Sequence, residues 1–334
     1  MTLSTEQIAL RRQGITATDV AALSGCHPYR TSLNVYLDKT GAAPTFVENE
    51  RVRWGNLLEP LIRQDYARRH GVDVVEPGTL THADVPWAMA TPDGVAVLGG
   101  LPVRGLEIKT HGTRVAYEYG APGTDQVPGY VLVQAMWNLY VAGLDRWDVV
   151  AFWDNQPHDF VIERDDELVG QLVEVAERFL VDHVRPGVPP RPDGTDQFSR
   201  YLAERHPRDN CTMIDVTGRP NVTAMIHGLR ARREQLAAIE RQVEEATQQI
   251  KEIIGDAAGL SWSEQSMGKT MTRKLMWKSD RDRLTIDWRA IVEEICTTCG
   301  VPREVRDAAQ TKHTEIKMGA RVFRVPAHWN KEEV

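Results

Sequence analysis

The chain has 334 residues, 42% of them hydrophobic and 26% charged, with a formal net charge of −7. That composition describes a soluble globular protein with room for one sizeable core and an appendage. The most apolar stretch, Tyr130 to Leu144, is interrupted by Gln134 and Asn138 and is too short to cross a bilayer. The first residues lack the charged-then-apolar layout of a secretory signal, so the expected location is the cytoplasm of a bacterial or phage-infected host cell, with no membrane partner.

The charge is uneven along the chain. Residues 1–210 hold 20 Lys and Arg against 29 Asp and Glu, a net −9, whereas residues 211–334 hold 20 against 18, a net +2. This argues against an extended nonspecific coat on nucleic acid. It does not argue against a confined channel whose acids load cations. The four cysteines, Cys26, Cys211, Cys296 and Cys299, are sparse and scattered, as in a reducing compartment. Cys296 and Cys299 have the spacing of half a metal site, but no second pair completes it, so four free thiols are expected.

In chain order, Thr16-Ala17-Thr18-Asp19 reads as a capping box opening a short helix that Gly25 terminates. A second helix is predicted from near Ser32 to Lys39, with Gly41 just beyond. Trp54, Leu57, Leu58, Leu61, Ile62 and Tyr66 recur at helical spacing within 52–70, where Pro60 is expected to bend the helix. Short strands are then predicted at Val72–Val75, Ala88–Ala90, Val95–Leu98 and Gly105–Lys109. A buried helix over Gly129–Ala142, strands at Trp147–Trp153 and Phe160–Glu163, and an amphipathic helix over Glu167–Val184 complete an α/β core. Arg185 to Gly194 is a Pro/Gly-rich boundary.

Beyond the boundary, Val222, Leu229, Leu236, Val243 and Ile250 recur every seven residues. Met225, Ile239, Ala246 and Ile253 form a companion row broken by Arg232. This predicts a long amphipathic helix ending at Gly255, its seam packed on its own hairpin or core, or else in a coiled coil. Lys269–Lys278 and Arg283–Trp288 are predicted strands. Residues 269–283 hold six Lys and Arg against two Asp, with Trp277 among them. Lys269, Arg273, Lys274 and Lys278 are therefore candidate DNA-backbone contacts, with a solvated strand face as the alternative.

Two segments carry the chemistry. Thr91-Pro92-Asp93-Gly94 is a tight turn that fixes Asp93 at a strand end. In Leu106-Glu107-Ile108-Lys109, extended geometry places Glu107 and Lys109 on one face and the apolar pair on the other. Two carboxylates converging with a lysine suit a divalent metal, a water nucleophile and a phosphodiester.

Joined with Gly14 to Leu23, Trp54-Gly55-Asn56-Leu57-Leu58-Glu59 and Gln134, these motifs in this order resemble the YqaJ-type viral recombinases, relatives of phage lambda exonuclease in the PD-(D/E)XK nuclease superfamily. The resemblance covers roughly residues 8–184. It implies a mixed central sheet flanked by helices over 1–184, to which composition and periodicity add a Pro/Gly-rich linker and short helix at 185–214 and a C-terminal long amphipathic helix with a small, basic β-hairpin region over 215–334.

The resemblance also implies a Mg²⁺-dependent exonuclease, with Mn²⁺ as substitute, degrading linear double-stranded DNA from 5′ ends. The resulting 3′ overhangs would pass to a single-strand annealing protein. By position, Asp93, Glu107 and the Ile108 carbonyl would bind metal, Lys109 would position or activate water, Glu59 would complete the metal shell, and Gln134 would orient Lys109 or a water. Residues matching Arg11, Thr18 and Thr91 hold the terminal 5′-phosphate in lambda relatives, with Ser at the latter two. The start of the first capped helix, with Thr16 and Thr18, is itself an anion site in principle, against the alternative that Thr16 and Asp19 only cap. The family precedent further implies a ring-shaped trimer. An endonuclease or single-strand-specific nuclease using the same site, and a non-catalytic DNA-end-binding protein, remain as alternatives.

Overall fold

The computed structural model describes residues 5–43, 49–266, 269–279 and 286–314. The chain divides into two compact units, Met1–Phe198 and Ser199–Val334.

The first unit opens with α1 (Thr5–Arg12), α2 (Ala17–Leu23), α3 (Ser32–Lys39) and α4 (Glu50–His70). Strands follow: β1 (Asp73–Val75), β2 (Leu80–Thr81), β3 (Met89–Ala90), β4 (Gly94–Leu98) and β5 (Leu101–Thr110). After a 3₁₀ turn at Thr113–Glu118 come α5 (Gly129–Ala142), β6 (Arg146–Trp153), β7 (Gln156–Glu163) and α6 (Asp166–Phe179), which runs on as a π turn through Leu180–Val184. The main sheet has the order β1-β4-β5-β6-β7. Only the β5–β6 pair is parallel, so the sheet is mixed, with Glu107 opposite Val149 and Lys109 opposite Ala151.

Alternation along β5 decides the architecture. Leu106 and Ile108 face α4, where they pack with Ile62, Tyr66, Ala96 and Val150. The opposite face of the sheet is covered by α5, which also contacts α2 and α6. α5 is buried on nearly every side, as an apolar helix between a sheet and further helices must be, and left-handed Gly143 (φ 64°) ends it. The expected mixed sheet flanked by helices is present.

α7 (Asp196–Arg205) runs across the division between the units. The second unit contains α8 (Pro220–Ile254), a hairpin of β8 (Gly259–Ser266) and β9 (Lys269–Met276), α9 (Trp288–Thr298) and α10 (Arg303–Lys312). The long helix ends at Gly255 as predicted, and Ile254 is its one buried residue among those described, while Leu236, Ile239 and Val243 are exposed.

The predicted strand at Arg283–Trp288 is corrected where it is described. Asp287 caps α9 by accepting a hydrogen bond from Ala290 N (3.0 Å), and Trp288 is the first residue of that helix. Residues 280–285 lie outside the described residues. The capping carboxylate outweighed the local β-branched and aromatic content. No described helix is long and apolar enough to cross a membrane.

Candidate active site

A cavity of about 680 Å³ opens between α2, α4, the β3–β4 turn, β5 and α5. It is lined by Arg11, Thr16, Thr18, Glu59, Thr91, Asp93, Glu107, Ile108, Lys109 and Gln134, so every candidate that the sequence offers in the first unit reaches it.

Each acid is held in place by a different element. Asp93 sits in the turn before β4, and its Oδ2 accepts a hydrogen bond from Ile108 N of the neighbouring strand (2.7 Å). Glu107, buried on the α5 face of β5, accepts from Lys109 Nζ at Oε1 (2.5 Å) and from Asn138 Nδ2 at Oε2 (3.3 Å). Glu59 comes from α4 and pairs with Arg63 one turn on (Nη2 to Oε1, 2.6 Å), and Arg63 also pairs with Glu76. A pair with Arg63 at i+4 is the ordinary alternative to a metal role for a helix carboxylate such as Glu59. Here the pair is present and Glu59 still lines the cavity.

Crowded, poorly solvated carboxylates should resist ionisation, and Asp93 does. Burial, then Glu107 and Glu59, push its carboxyl well above the ordinary range, against the pull of Lys109 and the Ile108 N–H. Burial would lower the Lys109 ammonium, but Glu107 and Asp93 more than offset that and keep it protonated. His27 and His111 are both pushed down to about 4, chiefly by burial, with nearby cations adding to it. His27 Nδ1 accepts from the backbone N–H groups of Tyr29 and Arg30 (3.1 and 3.0 Å), as a neutral ring requires.

The Asp93 strain gives a test by sign. A carboxyl whose folded pKa lies above its unfolded value of about 4 costs nothing below that pH and costs progressively more as pH rises towards the folded pKa. With chelator present, Asp93→Asn should therefore melt higher than wild type at pH 8 by on the order of 2 kcal/mol, the gap closing near pH 4. An Asp93→Asn protein that melts lower than wild type at pH 8 would contradict this electrostatic account.

Among the described residues, no three His, Cys, Asp or Glu side chains are already gathered as a cage for an ion. The donor set nonetheless fits a hard divalent cation. It consists of carboxylate oxygens whose mutual repulsion a cation relieves, and the buried Gln134 Oε1 and Asn138 Oδ1 carry no hydrogen bond.

At the other wall, α2 begins with a buried cap. Thr16 donates its backbone N–H (3.0 Å) and its hydroxyl (2.8 Å) to Asp19 Oδ2. Lys39 Nζ lies 2.7 Å and Arg30 Nη2 3.1 Å from the same carboxylate. Burial alone would raise Asp19, but Lys39 and Arg30 hold it below the usual carboxylate range. The Thr16 hydroxyl hydrogen is thus committed to the cap, while Arg11 makes no ion pair with a described residue. Thr91 Oγ1 lies 3.1 Å from Thr79 Oγ1.

Asn138 and His27 escaped the sequence reading as site residues. Asn138 carried a detectable signal, being a second amide one helical turn after Gln134 in an apolar helix. The candidate DNA contacts in and just after β9 belong to the second unit. Arg273 pairs with Glu264 (2.6 Å), Lys274 and Lys278 are exposed, and the Lys269 side chain lies outside the described residues. All four cysteines are free thiols.

Residues 7–145 match the model of the YqaJ-like viral recombinase domain. The uncharacterized protein YqaJ of Bacillus subtilis (strain 168) is 28% identical over 258 residues, covering 75% of this chain and 78% of that protein. The uncharacterized protein R354 of Acanthamoeba polyphaga mimivirus is 34% identical over 152 residues, 43% of this chain but 28% of that protein. Among solved structures, an alkaline exonuclease (LHK-Exo) from Laribacter hongkongensis aligns with a TM-score of 0.46 and 22% identity, over 61% of this chain and 100% of that one. Residues 7–145 of the chain are thus similar to the YqaJ-like viral recombinase domain, and the similarity to the Bacillus subtilis protein extends beyond them.

Proposed function

We propose that this protein is a metal-dependent deoxyribonuclease that removes nucleotides from the 5′ ends of linear duplex DNA. The observation that carries the reading is the meeting, in one cavity, of Asp93, Glu107 and Glu59 with the Lys109 ammonium, on four separately held positions. The match of residues 7–145 to the YqaJ-like viral recombinase domain agrees with it.

Asp93, Glu107 and the Ile108 carbonyl would hold Mg²⁺ or Mn²⁺, with Glu59 completing the shell. When bound, such an ion neutralises phosphate charge and acidifies a coordinated water. Lys109 places a proton donor and a positive charge beside Glu107, where it can orient that water and offset charge developing on the phosphate. Gln134 offers a buried acceptor, Oε1, to a water hydrogen. Asn138 restrains Glu107 from the same helix. Product overhangs suit a single-strand annealing protein, and a ring of subunits would account for processivity without a basic surface.

The deciding assay follows both labelled strands of a linear duplex with and without Mg²⁺. Loss of the 5′-ended strand only, and only with metal, is expected. No digestion with any divalent ion sinks the nuclease reading, and nicking of a closed circle replaces exonuclease with endonuclease.

The 5′ preference is assigned to Arg11, Thr18 and Thr91, with the α2 start. Arg11→Ala should reduce the advantage of 5′-phosphate over 5′-hydroxyl ends by about tenfold, the size of a lost charge-assisted contact. Equal loss on both kinds of end would remove Arg11 from the anchor.

A further inference from the structure

A second cavity, of about 670 Å³, adjoins the first. Tyr29, Arg51 and Thr110 line both, whereas Arg11, Thr18, Thr91 and the three acids line the first alone. The second cavity therefore opens off the rim beyond Lys109, not off the wall assigned to the terminal phosphate.

Its chemistry differs from that of the first. Two large rings stand exposed at its edge, Tyr29 (78%) and Trp54 (53%). The Arg53 guanidinium, itself paired with Glu50 (3.0 Å), lies 5.2 Å from the Trp54 ring centroid, outside the cavity lining. Arg51 and Arg114 line the cavity, are exposed and pair with no acid among the described residues. Glu118 is the one acid in the lining among the described residues. Exposed rings in a cavity that also holds the Arg51 and Arg114 guanidinium groups suit a ligand that is flat and apolar at one end and anionic at the other. An unpaired nucleotide has that form, since every base has a stacking face and every link a negative charge.

Resting on the nuclease reading for the strand's direction, we propose that this cavity binds the base and phosphate of the unpaired nucleotide on the 3′ side of the scissile phosphate. A strand anchored by its terminal phosphate in the first cavity passes Lys109 and leaves over the Thr110 rim. Tyr29 and Trp54 then stack on the second base, while Arg51 and Arg114 meet its phosphate. The pocket is a subsite for single-stranded character without base identity, because stacking reads the ring and not its hydrogen-bonding edge.

The test is a cycle of base deletion against ring deletion in the full-length protein. The probe is a fluorescein-labelled, 5′-phosphorylated duplex with an abasic residue at the first, second or tenth nucleotide. Binding is followed by anisotropy in EDTA, where no cleavage occurs. For wild type, deleting the second base should weaken binding about tenfold and deleting the tenth should not. A Tyr29→Ala/Trp54→Ala double variant should bind the intact duplex about tenfold more weakly and be indifferent to the second base. Its melting temperature should match wild type because both rings are exposed, and Trp54→Phe should restore the sensitivity. A second-base penalty of equal size in wild type and double variant overturns the subsite, as does a penalty independent of position. A wild-type protein that cuts no DNA with any metal would instead sink the nuclease reading, and the EDTA binding cycle would still decide the pocket.

Discussion

Asp93→Ala and Lys109→Ala should each lower Mg²⁺-dependent digestion of linear duplex DNA by about 10²–10³-fold or more, the loss seen when a preorganised charged group is removed from a reacting centre. The two act for different reasons. Asp93 is the acid whose charge the fold tolerates least, burdened by burial and by Glu107 and Glu59, so a cation recovers most there. Lys109 supplies a positive charge 2.5 Å from Glu107, where it can offset charge developing on the phosphate. The measurement is the initial rate on end-labelled duplex at saturating Mg²⁺, with far-UV circular dichroism to check the fold. An Asp93→Ala protein retaining near wild-type rate would remove the basis of the metal mechanism.

The second large effect is on stability. Gly105→Ala should cost roughly 3 kcal/mol, because overpacking a closed core forces side chains or backbone to shift. Gly105 sits opposite Trp147 across the parallel β5–β6 ladder, and a Cβ added there would stand 2.1 Å from two Trp147 ring carbons. Trp147 is completely buried and has no space to retreat. The strand would have to move, and Glu107 lies two residues farther along it. Thermal melting should show a drop of roughly 6–12 °C, at 2–4 °C per kcal/mol for a unit of this size. Gly170→Ala is the internal control. It lies within α6, has no neighbouring atom within 4 Å of the added carbon, and should gain a few tenths of a kcal/mol to about 1 kcal/mol from helix propensity. A Gly105→Ala protein as stable as wild type would mean that the β5–β6 packing is looser than described.

Periodicity carried much of the fold. The predicted buried helix at Gly129–Ala142 has those bounds as α5, because an apolar run ended by a glycine needs no tertiary information. The alternation of Leu106 and Ile108 with Glu107 and Lys109 determined which pair enters the core, since a strand offers only two faces. Thr16 and Asp19 declared their cap through a three-residue spacing. In the second unit the polar alternation of Gly259–Ser266 concealed β8, and a cap at Asp287 turned an expected strand end into a helix.

Local spacing ends where distant elements meet. Asn138 reaches Glu107 across 31 positions, Lys39 and Arg30 converge on Asp19, and Arg63 reaches from α4 to Glu76. Nor does any sequence interval place Trp54 beside His111 and Arg114 in a second cavity. A hydrophobic period reports which side of an element is hidden, but not what hides it. The residues able to do the chemistry were therefore legible in the sequence, while their partners, their crowding and the neighbouring cavity came from the tertiary packing of α4 and α5 on opposite faces of one sheet.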